Sequence, residues 1–107
     1  MAERTLQEVF GGNAAQTSTT ITLDKGDLGI TDPSATADKI LAALAIKALA
    51  NLDRTYFDAD LSQTVFVEKG FDQFLPRGQN NDNYVVRQIN INLAKLDADA
   101  VLSPEDY

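Results

Sequence analysis

Asp32-Pro33-Ser34-Ala35-Thr36-Ala37-Asp38-Lys39-Ile40-Leu41-Ala42-Ala43-Leu44-Ala45-Ile46-Lys47-Ala48-Leu49-Ala50-Asn51-Leu52 is the stretch that decides the fold. Ala37, Ile40, Leu41, Leu44, Ala48 and Leu52 recur at i, i+3, i+4 spacing, while Asp38, Lys39, Lys47 and Asn51 lie mostly elsewhere on the helical wheel. The spacing predicts one long helix over about residues 33–52. Asp32 offers a capping carboxylate with Pro33 at the first helical position, and Ser34 or Thr36 offers a later start. Alanines at 42, 43, 45, 48 and 50 raise helix propensity and leave a smooth surface that another backbone can approach closely. Ile46 and Leu49 widen the apolar stripe beyond the needs of one sheet face. The helix therefore reads either as buried in a small core or as covered twice, by its own sheet and by a partner.

Beyond the helix the periodicity changes to that of strands. Arg54–Leu61 reads as a short strand or extended link. Thr64–Leu75 holds the β-formers Val65, Phe66 and Val67 and then Phe71 and Phe74, with Gly70 marking a bulge or kink between the halves. Pro76–Asn83 is rich in turn formers and predicts an exposed hairpin loop. Over Tyr84–Leu96, Val85, Ile89, Ile91 and Leu93 alternate with Gln88, Asn90, Asn92 and Ala94, and only Arg87 breaks the apolar side. This is the clearest strand in the chain, with one dry face and one face of amides. Upstream of the helix, Thr17–Leu23 is β-branched and alternating, which predicts a half-buried strand, and Asp24-Lys25-Gly26-Asp27 predicts a turn. The fold class expected is α+β: a mostly antiparallel sheet of three to five strands packed by one face on the main helix.

The N-terminus adds a short helical turn. Thr5 and Glu8 have capping-box spacing, Leu6, Val9 and Phe10 share a face, and Gly11-Gly12 ends it. A helix this short holds only by docking. Residues 1–18 thus read as a movable arm or as an ordinary lead-in packed on its own domain. Residues 97–107 form an acidic tail in which Ser103-Pro104-Glu105-Asp106 resembles a helix start. The 107 residues make one domain.

Composition excludes more than it selects. There is no His, Cys or Trp, so imidazole bases, thiolates and soft metal ligands are missing. Sixteen acidic against nine basic residues give a net charge of −7, and the basic residues are scattered, which disfavours nucleic acid. The apolar run Ile40–Leu52 is too short to span a bilayer, and the Met-Ala-Glu-Arg start lacks a signal-peptide pattern, so an intracellular setting is expected. With five Phe and three Tyr, bulky core material is scarce, and partner subunits are expected to complete the burial.

No segment reads as a catalytic or metal site. Asp58 and Asp60 share a face if their segment is extended, yet no His or glycine-rich cradle accompanies them. Asp58, Asp60, Ser62 and Thr64 match the first four ligand positions of a calcium loop, which then fails at Gln63 and Lys69. No enzyme, cofactor or metal is expected. The surfaces that read as adhesive are the Leu6, Val9 and Phe10 face, Ile46 and Leu49 on the helix, the Asn90 and Asn92 amide row, and Tyr107 at the end of the tail.

Thr5-Leu6-Gln7-Glu8-Val9-Phe10-Gly11, the Thr-rich segment at 17–23, the Ala/Leu helix and the Pro104-Glu105-Asp106-Tyr107 ending together resemble small structural proteins of cyanobacterial phages and prophage-like loci. The likeness is an order of features across most of the chain, without a diagnostic motif, and it carries over no functional residues. It implies a virion component assembled in the host cytoplasm, a capsid cement or decoration protein first and a neck or tail accessory protein next. Its partners would be a larger protein lattice and its own copies, a dimer before a trimer because two-fold closure is commonest. A small ligand-binding or regulatory module of the bacterial cytoplasm is the alternative, with an apolar pocket expected near Phe66, Phe71 and Phe74.

Overall fold

The computed structural model describes residues 3–95 and 102–107. Helix α1 (Leu6–Phe10) is followed by the short strands β1 (Ala15–Gln16) and β2 (Ile21–Thr22) and then by the main helix α2 (Ala37–Asn51). A second short helix, α3 (Arg54–Ala59), leads to strands β3 (Val65–Lys69), β4 (Gln73–Arg77), β5 (Asp82–Val86) and β6 (Ile89–Leu93), and a 3-10 turn spans Pro104–Asp106. The chain is α+β and antiparallel throughout. Its strands pair in twos, β1 with β2, β3 with β6 and β4 with β5, instead of in one sheet.

The main helix starts at the later of the caps that the sequence offers. Thr36 accepts the Lys39 N–H, whereas Asp32 takes the Ser34 N–H at 2.9 Å and the Lys39 ammonium at 3.1 Å. Asp32 therefore closes the approach turn and braces the first helical turn from outside.

Two segments differ from their expected form. Arg54–Ala59 is a helix, because Asp53 caps the Thr55 N–H at 3.0 Å and Phe57 packs on Phe66 with ring centroids 4.7 Å apart. Thr17–Leu23 contributes only Ile21 and Thr22 to a two-pair ladder, and both are exposed. There Thr17 accepts the Thr19 and Thr20 N–H groups and meets the Thr20 hydroxyl at 2.7 Å. Side-chain bonds of this kind give the backbone an alternative to the strand ladder.

β3 to β6 form one long hairpin interrupted at its middle. The ladder runs Val65↔Leu93 to Lys69↔Ile89, stops, and resumes from Gln73↔Val86 to Arg77↔Asp82. Residues 70–72 thus face only Arg87 and Gln88, a bulge that places one extra residue in the first strand. The Gly70 N–H donates to the Gln88 carbonyl at 2.8 Å and the Phe71 N–H to Gln88 Oε1 at 3.0 Å. Arg87 and Asp72 pair at 2.9 Å across the break. The inner ribbon, β3–β6, packs on α2, and β3 also meets α3, where Phe66 packs on Phe57. The outer ribbon, β4–β5, projects as an arm, and the expected loop shortens to a turn at 78–81 because Pro76 and Arg77 join the ladder.

The buried apolar core of the described residues is Val9, Ala14, Ile30, Ala48 and Val67, with Gln63 the buried polar residue. So small a core leaves an open shape. The radius of gyration is 16.5 Å, against about 13 Å for a compact domain of this length. The accessible surface is 8170 Å², against roughly 5,800 Å² for a compact monomer of this mass.

A Cβ on Gly70 would overlap the Gln88 side chain, whereas nothing lies within 4 Å of one on Gly12. Urea unfolding is expected to show Gly70→Ala destabilised by about 1–2 kcal/mol, through loss of the Phe71–Gln88 bond. Gly12→Ala should stay near wild type.

Candidate functional site

Four surfaces concentrate the residues singled out by the sequence. At the N-terminal end, α1 is docked on α2 by a polar clasp. The Arg4 N–H donates to Gln63 Oε1 at 2.9 Å, Gln63 Nε2 donates to the Val65 carbonyl at 3.0 Å, and Arg4 Nε donates to the Asn51 carbonyl at 3.2 Å. Asn51 Nδ2 returns a bond to the Val9 carbonyl at 3.0 Å, and the Arg4 guanidinium lies 4.1 Å from the Tyr56 ring centroid. Val9 is buried where α1 packs on α2. Leu6, Phe10 and Tyr107 stay half-buried and line a small cleft of about 210 Å³. Lys95 and Asp106 pair at 3.0 Å and hold the chain end against the body.

The second surface is a groove of about 580 Å³ between α2 and the far end of the inner ribbon. Leu41, Ala42, Ala45, Ile46 and Leu49 form one wall, Lys69, Arg87 and Ile89 the other, and Asp38 stands at its edge. Leu41 is 67% exposed and Ile46 60%. Of the two helix residues flagged in the sequence, Ile46 is open and Leu49 half-covered, and both line this groove.

The arm is the third. In its ladder Phe74 stands opposite Val85 on one face, and Leu75 opposite Tyr84 on the other. All four are exposed, Phe74 at 73%. The Arg77 guanidinium covers Tyr84 at 5.0 Å, while the Phe74–Val85 face has no such cover. The signal was present in the sequence, because Phe74-Leu75 and Tyr84-Val85 place apolar side chains on both faces of a strand.

The fourth is the amide row. Asn90 and Asn92 are half-buried, and Asn92 Nδ2 reaches the Phe66 and Asn90 carbonyls at 3.4 Å, so this amide serves its own ribbon. The opposite face of β6, expected to be dry, is open: Ile89 is half-buried and Ile91 and Leu93 are exposed. Val67 is 1% exposed, but Ile91 across from it is 58% exposed. Phe66, Phe71 and Phe74 do not converge: Phe66 packs on Phe57, whereas Phe71 is 89% exposed.

Glu8, Asp32 and Asp60 each accept a nearby backbone N–H. The Thr5 N–H, then the Thr5 side chain, hold Glu8 below the ordinary glutamate value. The Ser34 N–H, then the Lys39 ammonium, lower Asp32, and the Ser62 N–H followed by the Ser62 hydroxyl lower Asp60. Asp58 sits on α3 at 3.6 Å from Arg54, not on an extended segment with Asp60. Among the described residues no group of three or more acidic side chains is placed to hold a metal ion, and no helix is long and apolar enough to cross a membrane. Comparison with protein-family models, curated proteins and solved structures gives no match.

A carboxylate lowered by folding contributes stability above its unfolded pKa, and loses it as pH falls through the folded value. The melting temperature is therefore expected to drop on acidification below about pH 4, where free carboxylates titrate. In a carboxyl-carbon NMR titration, Ser62→Ala should raise the Asp60 pKa and leave those of Glu8 and Asp32 in place.

Proposed function

We propose that this chain is a non-enzymatic assembly protein that works as a homo-oligomer against a larger protein lattice, in the manner of a capsid cement or decoration protein. The observation that carries the reading is the unpartnered apolar surface on the groove and arm. Soluble monomers rarely leave large contiguous apolar patches open. Here the side chains in question sit on regular helix and ladder positions, with rotation and register already fixed. A two-stranded ribbon is marginal alone in water, so an arm with apolar side chains on both faces gains its stability on contact.

The net charge of −7 fits a protein surface better than a phosphate backbone. The resemblance in feature order to small phage structural proteins supplies the setting: a virion component put together in the host cytoplasm. A neck or tail accessory protein uses the same surfaces and is the second place in a particle. An exposed, unconverged set of phenylalanines gives a ligand-binding module no comparable support.

Light scattering across a range of concentrations is expected to give an oligomer, a dimer first. The Leu41→Ser/Ile46→Ser variant should be monomeric with an unchanged far-UV circular dichroism spectrum, since both side chains already face solvent within one copy. A wild-type chain that stays monomeric at hundreds of micromolar contradicts the assembly reading. Mass spectrometry of purified particles from the producing culture should find this chain at a fixed ratio to the major shell protein. Its confinement to the cell extract contradicts the virion setting.

A further inference from the structure

We infer that the outer edge of β6 pairs antiparallel with the same edge of a second copy, joining two inner ribbons into one sheet about a two-fold axis at Ile91. The inference rests on the assembly reading above and names the backbone that joins the copies.

The first observation is an open row of peptide groups. The Ala94 N–H bonds the Thr64 carbonyl and the Gly70 N–H the Gln88 carbonyl, so the β3–β6 ladder bonds run through the even-numbered residues. The N–H and C=O groups of Ile89, Ile91 and Leu93 therefore point away from β3, and among the described residues they meet no partner. The outer edge of β3 is instead closed at its centre, where the Val67 N–H donates to the Leu52 carbonyl. A row of donors and acceptors at strand spacing is satisfied by another extended strand.

The second is the lack of protection. Edge strands are commonly blunted by charge, proline or a bulge. Glu68 and Lys69 in β3, Pro76 and Arg77 in β4 and Asp82 in β5 do this for their strands. Ile89-Asn90-Ile91-Asn92-Leu93 contains no charge, proline or glycine, and Ile91 and Leu93 are exposed.

The third selects a second copy as the incoming strand. A two-fold axis at Ile91 sets Ile91 against Ile91, Ile89 against Leu93 and Asn90 against Asn92. Apolar meets apolar on one face and amide meets amide on the other, because the segment has the same pattern read in either direction. The outward N–H and C=O groups of residues 89, 91 and 93 fall opposite those of 93, 91 and 89, so each donor finds an acceptor. A two-stranded ribbon is marginal alone, whereas the joined sheet has four strands. Ile89 also lines the α2 groove, so edge and groove form one continuous surface.

Amide hydrogen exchange reads this edge directly. Ile91→Lys and Ile91→Glu each set like charges against one another at the axis, which is destabilising, whereas mixing them sets opposite charges together. Ile91 is exposed within one copy, so both variants are expected to keep the wild-type circular dichroism spectrum. Each alone should be monomeric in light scattering, and an equimolar mixture should restore the dimer. The amides of residues 89 and 93 should exchange at least tenfold more slowly in wild type than in either variant alone. Should the variants unfold, wild-type exchange measured against the neighbouring ladder amides at 90 and 92 carries the test. A wild-type oligomer whose 89, 91 and 93 amides exchange freely, or an Ile91→Lys variant that stays dimeric, overturns the edge pairing and leaves assembly through another face. A mixture that stays monomeric overturns the axis at Ile91. A monomeric wild type overturns both the pairing and the assembly reading, and leaves this edge to a strand of another protein or, where its amides stay slow, to another part of the same chain.

Discussion

Val67 is the point through which the body is held together. It is 1% exposed, its N–H donates to the Leu52 carbonyl at 2.8 Å, and its ladder partner is Ile91. The bond to Leu52 ties the C-terminal cap of the main helix to the inner ribbon. Phe66, one residue earlier, faces the other way and receives Phe57 from α3. One strand thus orders both helices, and the alternation of strand side chains is what lets it do so. Full burial of a valine contributes about 1.5–3 kcal/mol, so a core built around one such residue leaves little margin.

The chain offsets part of that deficit with polar bonds. Gln63 is buried and uses both ends of its amide, accepting from Arg4 and donating to Val65. Asn51 links α2 back to α1, and Arg4 bonds Asn51 while stacking on Tyr56. Each such bond contributes about 1 kcal/mol net. Their larger effect is to fix position. Docking of α1 depends on directed donors and acceptors as well as on Val9.

The apolar side chains left outside are held by elements of fixed geometry. The groove wall is a capped helix, and the arm is a registered ladder whose root is bonded through Gln88 and Arg87. Preorganisation of this kind lowers the entropy lost on association. The core is small because large apolar side chains such as Leu41, Ile46, Phe71, Phe74 and Ile91 lie outside it.

Local chemistry was legible in the sequence wherever neighbours along the chain settle it. The Thr5–Glu8 capping box, the existence of the main helix, the Gly70 bulge and the α+β class all rest on interactions within a few residues or on simple periodicity. The Arg54–Ala59 helix was not legible, because its Asp53 cap is an ordinary acid until Phe66 supplies a surface for Phe57. Only the tertiary structure could decide that the strands pair in twos, that Val9 turns inward while Ile91 stays open, and that Leu41 and Ile46 line a groove. Periodicity assigns a side chain to a face. Which faces meet, and which are left over, depends on residues far apart in sequence, such as Gln63 reaching Arg4 and Val67 reaching Leu52, and no local pattern encodes those distances.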